Sequence, residues 1–287
     1  VVTSREPELH PLIVSRFALD GGAMFGVIPR PMWERVHPPD ERGRIDLVAR
    51  VLVARFPEQG RVVVVDAGMG LGWSDRERDR FKLDTGAPGL DQGLADLGIA
   101  ADEVTDAVMT HLHFDHAGGW VRPAAQAGFV PVLPRAVHHV QRAHLDWARS
   151  RSSRDRGSFA EDRLAPLEAA GLLHPIDGEG ELFPGLEVMC VDGHTTGLQI
   201  PLLRGPAGAV AFPADLMPTA AHACANWIMA YDLRPLETLA EKRRFLARAH
   251  TEGWIVVLEH DPAVEAAVVE SSGGEAALSP CACPRAL

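Results

Sequence analysis

A chain of 287 residues, 46% hydrophobic and 23% charged, can bury a large core within one layered α/β domain, although its length alone would also admit two. Its formal charge of -11 comes from 39 acidic and 28 basic residues, with Lys82 and Lys242 the only lysines. That balance lacks the basic footprint of a nucleic-acid enzyme and sets neutral or cationic small molecules ahead of polyanions.

No apolar stretch approaches the roughly 18 residues of a membrane span, and no signal sequence is recognisable. The cytoplasm is therefore the expected location, while the missing initiator Met leaves open that a segment was removed. In chain order, residues 45–56 and 61–66 read as paired strands. Gly68-Met69-Gly70-Leu71-Gly72 follows as a tight turn and matches neither the dinucleotide fingerprint nor the P-loop. Short helices are expected at 91–97 and from Asp102, before a β-rich run at 104–110. The region 138–171 reads as two helices joined by the basic run 149–156, which places His138, His139 and His144 in a helical insertion with surface or packing roles. Strands recur at 186–191, 198–203 and 209–212, and 237–250 is a helix with Leu239, Arg243, Leu246 and Ala249 at helical spacing. Residues 1–270 form one expected domain. Residues 271–287, with Cys281 and Cys283 among Gly, Ser and Pro, are an expected flexible tail. The four cysteines give no disulfide framework, which fits a reducing compartment.

The chemistry is concentrated in His111-Leu112-His113-Phe114-Asp115-His116. Neutral imidazole and carboxylate suit zinc and similar divalent ions, and a catalytic site keeps a coordination position open for water. With the chain extended through His111 and His113, both side chains point to one side and can share a metal, whereas Asp115 and His116 lie where the chain turns and can reach a second. The motif follows a strand, the end at which α/β proteins place their chemistry. Three further polar groups emerge after β-like runs: His194 on the turn Asp192-Gly193-His194-Thr195-Thr196-Gly197, Asp215 after Pro213-Ala214, and His260 within Glu259-His260-Asp261.

These motifs, in order and spacing from about Val48 to His260, resemble the metallo-β-lactamase superfamily of binuclear hydrolases. The resemblance implies an α/β fold, a four-layer αβ/βα sandwich, with the metals at one edge of packed sheets. It implies that His111, His113 and His194 hold one ion, that Asp115, His116 and His260 hold the other, and that Asp215 bridges them. Asp66, ending the run Val62-Val63-Val64-Val65, would orient the histidine loop. Enzymes of the superfamily that open β-lactams with two zincs commonly carry cysteine at the bridging position, so Asp215 points instead to the pattern of lactonases, organophosphate hydrolases, glyoxalase II and RNase Z. The segments 21–29, 110–119 and 229–232 resemble the quorum-quenching lactonase and organophosphate-hydrolase branch. One departure stands out: acyl-homoserine lactonases place a tyrosine three residues beyond the bridging aspartate, where this chain has Pro218, and its only tyrosine is Tyr231.

The expected activity is hydrolysis of a small-molecule ester or lactone by a metal-bridging hydroxide, with two divalent ions, zinc or else Mn, Fe or Co, as cofactors. Asp115 and Asp215 are the expected catalytic residues, Asp115 as the proton shuttle. Met24, Phe25 and His222 are expected to line the substrate pocket, with His222 replacing the absent tyrosine. Trp33, Trp120 and Trp227 are further candidates for apolar walls. The alternatives are an organophosphate triester hydrolase and a non-catalytic metal-binding sensor of the same fold. The expected partner is a small molecule, neither nucleic acid nor membrane, with homodimerisation left open.

Overall fold

The computed structural model describes residues 7–84, 86–125, 128–150, 152–272 and 275–287. Two sheets carry the fold. The first contains β1 (Glu8–Asp20), β2 (Arg44–Phe56), β3 (Arg61–Val65), β4 (Asp106–Val108), β7 (Val137–Gln141) and β8 (Leu173–Ile176), in spatial order β1-β2-β3-β4-β7-β8. The hairpin β5 (Val121–Ala124) and β6 (Gly128–Pro131) stands apart from it. The second sheet runs β15-β14-β13-β12-β11-β10-β9, from β9 (Gly180–Phe183), β10 (Leu186–Val191), β11 (Leu198–Gly205), β12 (Gly208–Ala211), β13 (Ile255–Val257), β14 (Ala266–Ser272) and β15 (Glu275–Cys281).

Strand periodicity explains how the sheets stack. In β3, Val63 and Val65 enter the core between the sheets while Val64 faces the outer helices; Leu52 and Ala54 divide from Val51 and Val53 in β2 in the same way. The second sheet repeats the arrangement, with Leu203, Val210 and Val257 facing inward and Leu202, Ala211 and Val256 facing outward. Strands covered on both faces read as continuous apolar runs, which accounts for the four consecutive valines. The outward side of the first sheet packs on α3 (Asp75–Phe81), α4 (Gly89–Asp96) and α6 (Arg142–Ser150), and that of the second packs on α8 (Pro235–Glu252). The short helices α1 (Gly21–Phe25), α2 (Arg30–Trp33) and α5 (Phe114–Ala117) and the longer α7 (Glu161–Ala169) complete the fold. The result is the αβ/βα sandwich, with one core between the sheets and one under each helical layer. Among the described residues, no helix is long and apolar enough to cross a membrane.

Three expectations are corrected. No helix begins at Asp102; residues 101–103 are a turn closed by Glu103, whose carboxylate accepts from the Ala100 N–H at 2.6 Å. His138 and His139 do not lie in a helical insertion but on β7, which the parallel sheet needs between β4 and β8. Residues 275–287 are not a loose tail. β15 pairs antiparallel with the edge of β14, Cys283 and Leu287 are 3% and 2% exposed, and Leu287 enters the core between the sheets. Apolar residues that find a sheet edge and a core outweigh the turn-forming composition around them.

His138 supplies a pH test of this packing. Its Nδ1 donates to the Ala136 carbonyl at 2.9 Å, its ring meets Trp120 edge-on, and burial pushes its pKa down from 6.5 to about 4. The unfolded chain therefore binds this proton more tightly, so the stabilisation is complete above pH 6.5 and is lost as the pH falls through 4. Denaturant unfolding should show that the loss of stability between pH 7 and pH 5 is about 2 kcal/mol smaller in His138→Gln than in the wild type.

Candidate metal centre

Strand ends deliver the polar residues to one edge of the sandwich. Asp66 follows β3 and the His111–His116 loop follows β4; His194, Asp215 and His260 follow β10, β12 and β13. Asp115 and His116 lie on the single helical turn of α5, which begins one residue beyond His113, so extended chain becomes helix within the motif itself.

The structure brings together His111, His113, His194 and Asp215 as one group and Asp115, His116 and His260 as another, with the candidate ligand atoms of each group within 4.8 Å of one another. Asp215 stands between them. Its Oδ2 lies 3.1 Å from His194 Nε2 and 3.7 Å from His111 Nε2, while its Oδ1 lies 3.2 Å from His260 Nε2 and 3.4 Å from His116 Nε2. Asp115 faces His116 and His260 at 4.0 and 3.8 Å.

These groups are poorly satisfied by one another. His111 Nε2, His113 Nε2 and Asp215 Oδ1 are buried without hydrogen-bond partners, and the imidazole nitrogens of His113 and His194, and of His116 and His260, approach to 3.1 Å. Buried lone pairs converging in this way suit a divalent cation, and the nitrogen and oxygen donor set is that of zinc and its neighbours. The electrostatics divide the rings into two kinds. Burial and neighbouring imidazoles hold His111 and His113 well below the ordinary histidine value. Against the burial that disfavours charge, Asp215 holds His194 up at about 10 and, with Glu259, His260 at about 9. Asp215 itself, despite its burial, is held well below the carboxylate range by His116 and His194.

Surrounding groups fix His116 and His194. Asp66 accepts from the Thr110 N–H at 2.8 Å and the Thr110 hydroxyl at 2.6 Å, and its Oδ2 lies 3.0 Å from His116 Nδ1. Asp66 adopts φ 56°, the left-handed region that favours glycine, to reach this position. Glu259, fully buried, places Oε2 3.0 Å from the same His116 nitrogen, and burial pushes its pKa up to about 8. Asp232 meets His194 Nδ1 at 2.7 Å. Glu241 on α8 accepts from the backbone N–H groups of Asp192 and Gly193, holding the His194 turn.

His144 is a connection that its place in the sequence did not reveal. Its Nε2 accepts from the Leu112 N–H at 2.8 Å, so its Nδ1 carries the proton and donates to the Thr196 carbonyl at 2.7 Å. One buried ring thus ties the His111–His113 segment to the His194 turn. Asp232 lay within the segment 229–232 that resembled the lactonase branch, and Glu259 adjoins His260, so both left a signal; His144 left none.

The pocket residues divide differently. A cavity of about 250 Å³ opens over Asp115, Asp215, His113, His194 and His260 and is walled by Leu19, Met24, Phe81, Phe114, Met229 and Tyr231. Met24 lines this cavity. Phe25 and His222 are not in the wall: His222 Nε2 donates to the Met24 carbonyl at 2.9 Å, its Nδ1 accepts from Thr219 at 2.8 Å, and its ring stacks on Phe25, which stacks in turn on Trp33. Both ring nitrogens are used in supporting the wall from behind. Tyr231 enters the cavity instead. Pro218 serves through its backbone, its carbonyl accepting from the His260 N–H at 3.0 Å. A larger cleft of about 590 Å³, lined by Arg243, His250 and Glu270, lies against α8 and β14 and touches none of the clustered imidazoles.

The family model of the metallo-beta-lactamase superfamily matches residues 47–260. The chain belongs to this superfamily. Its fold is similar to that of a probable metal-dependent hydrolase from Staphylococcus aureus, at 24% identity and TM-score 0.86, covering 98% of this chain and 100% of that one. It is also similar to AidC, a dizinc quorum-quenching lactonase, at 18% identity, TM-score 0.76 and coverage of 99% and 97%. The hydrolase AbOPH of the beta lactamase superfamily gives 15% identity, TM-score 0.79 and coverage of 97% and 96%. No curated protein matches the chain. This is a metal-dependent hydrolase fold whose His/Asp clusters are able to hold metal ions.

Two substitutions test the supporting shell. Asp66→Asn keeps a residue that tolerates the left-handed backbone but removes the charge, and His144→Phe keeps a ring but loses both hydrogen bonds. Chelator competition should show metal affinity reduced on the order of 10- to 100-fold for Asp66→Asn and about tenfold for His144→Phe. Wild-type affinity in either variant would remove that residue from the supporting role.

Proposed function

We propose that this protein hydrolyses a small-molecule ester or lactone with the help of two divalent metal ions. The observation that carries the reading is the division of the two Asp215 oxygens between His111 and His194 on one side and His116 and His260 on the other. His111, His113 and His194 would hold one ion and Asp115, His116 and His260 the second, with Asp215 shared. Zinc suits this imidazole-rich set, and Mn, Fe or Co fit the same donors. When bound, such a pair supplies Lewis acidity, lowering the pKa of water and polarising a substrate oxygen.

The residues of the chain do the positioning and move the proton. Water oxygen joins the acyl carbon, the bond from that carbon to the leaving oxygen breaks, and a proton from the water ends on the leaving oxygen. Asp115 both lines the cavity and faces His116 and His260, so its carboxylate can hold that proton between the two events. Asp215 fixes the geometry on which both ion positions depend. Apolar walls formed by Leu19, Met24, Phe81, Phe114 and Met229 exclude water and accept a small organic substrate. Tyr231 supplies a hydroxyl in the same cavity. Burial, with Asp115, Asp20 and Asp215 nearby, raises its pKa, so the phenol stays protonated and can donate to a developing oxyanion.

Metal analysis of the purified protein should give two ions per chain, and removing them with a chelator should abolish hydrolysis that added zinc restores. A single ion at full activity would overturn the binuclear reading. On a panel of simple lactones, aryl esters, acyl-homoserine lactones and phosphotriesters, the simple lactones and aryl esters should have the highest kcat/KM; dominance of phosphotriesters would favour the other reaction class. Tyr231→Phe should lower kcat by about tenfold or more with metal content unchanged, and an unaltered rate would remove the phenol from the mechanism.

A further inference from the structure

The cavity over the His/Asp cluster contains a charge pattern that metal binding does not account for. Arg80 and Arg154 line it together with the apolar wall. Arg154 comes from the basic run 149–156 and Arg80 from α3, so two segments distant in sequence bring cations to one cavity of a chain whose net charge is -11. Arg80 is the penultimate residue of α3. Its neighbour Arg78 pairs with Asp75, and Glu77, one turn earlier, is committed to the Ser74 N–H and hydroxyl at 2.9 and 2.6 Å. Among the described residues, Arg80 has no carboxylate within ion-pairing distance, and its guanidinium rests beside the Phe81 ring, 5.5 Å from the centroid. Arg154 is held by a 2.7 Å bond from one terminal nitrogen to the Ala230 carbonyl, next to Tyr231, and it too lacks a carboxylate partner among the described residues. A guanidinium offers five donors and stays charged throughout the working pH range, so each arginine keeps free donors at the cavity.

We propose that Arg80 and Arg154 form an anion subsite, and that the substrate is an ester or lactone carrying one carboxylate away from the bond to be cleaved. The inference rests on the hydrolase reading above and makes it more specific. The planar fork of arginine matches a carboxylate, and the apolar residues lining the same cavity suit a short hydrocarbon link. A polyanion is disfavoured by the net charge and by Asp115 and Asp215 on the floor. The preference for neutral or cationic ligands suggested by overall charge thus gives way, at this cavity, to a monoanion.

The test uses metal-loaded protein and two matched pairs of probes. The first pair is an aryl ester of a short dicarboxylic acid with its terminal carboxylate free, and the same ester with that group as a primary amide; the second is the corresponding pair of anilides, which resist cleavage. Wild-type protein should bind the carboxylate anilide about tenfold more tightly than its amide partner by calorimetry, and kcat/KM should favour the carboxylate ester to a similar extent, with the difference in KM. Both preferences should shrink toward one in Arg80→Gln and in Arg154→Gln and weaken with added salt. Equal binding of the two anilides by the wild type would overturn the subsite. A preference that survives in both variants would place the carboxylate on the His/Asp floor and overturn it equally. Absence of ester turnover counts against the hydrolase reading alone, because the anilide titration decides the subsite without it.

Discussion

A carboxylate with no access to water must find its partners within the protein, and Asp66 finds them all in one neighbouring loop. The Thr110 N–H and hydroxyl and the His116 ring surround it, at the point where β3 ends and the chain takes a left-handed turn. Removing a partner from a fully buried charge is severe, of the order of 3–5 kcal/mol, so this contact ties the loop after β4 to the strand beside it. The other candidate ligands are arranged around a loop whose position is already decided. The histidine loop is thus held by a residue outside the proposed ligand set.

The same logic is repeated farther out. Asp232 fixes His194 and Glu259 stands against His116. Arg50, buried in β2, donates to the Leu258 carbonyl and, at 3.0 Å, to that of Asp261, on either side of Glu259 and His260. Arg234 donates to the Asp192 carbonyl and Thr196 hydroxyl across the His194 turn. Strand ends alone would deliver these residues only to the right neighbourhood. The polar shell turns neighbourhood into geometry, and it draws on both sheets and on α8.

What could be read from sequence was what is local. Three imidazoles and a carboxylate within six residues advertise themselves, and the valine run before Asp66 marks a strand covered on both faces. The resemblance to the superfamily rests on such motifs in order, and it is the resemblance, not the runs themselves, that implies the sandwich. His222 shows where this fails: its position after Asp215 points to the substrate, but its ring is claimed by Thr219, Phe25 and the Met24 carbonyl, the last nearly two hundred residues distant. His144 is the complementary case: both of its partners come from other loops, so nothing near it in sequence marks its role. Tyr231 was noticed as the sole tyrosine without a location, and the last strand was hidden by the glycine and serine before it. For the two histidines the deciding contact spans a sequence distance that periodicity cannot measure; for the last strand it is local, a hairpin with β14.

The turn after Asp66 and the loop after His116 meet backbone to backbone. A Cβ on Gly118 would lie 2.1 Å from the Met69 carbonyl oxygen, and one on Gly119 would lie 2.0 Å from that of Ala67; Ala67 and Gly119 donate hydrogen bonds across the same seam. With no side chains between them, the two loops have no compressible layer through which to slide. The position of the histidine loop is thus set by backbone packing. Ions that enter the site would be sorted by how well their preferred coordination matches a rigid mould, and exchanging one for another would alter the chemistry while leaving the shape of the vessel as it was.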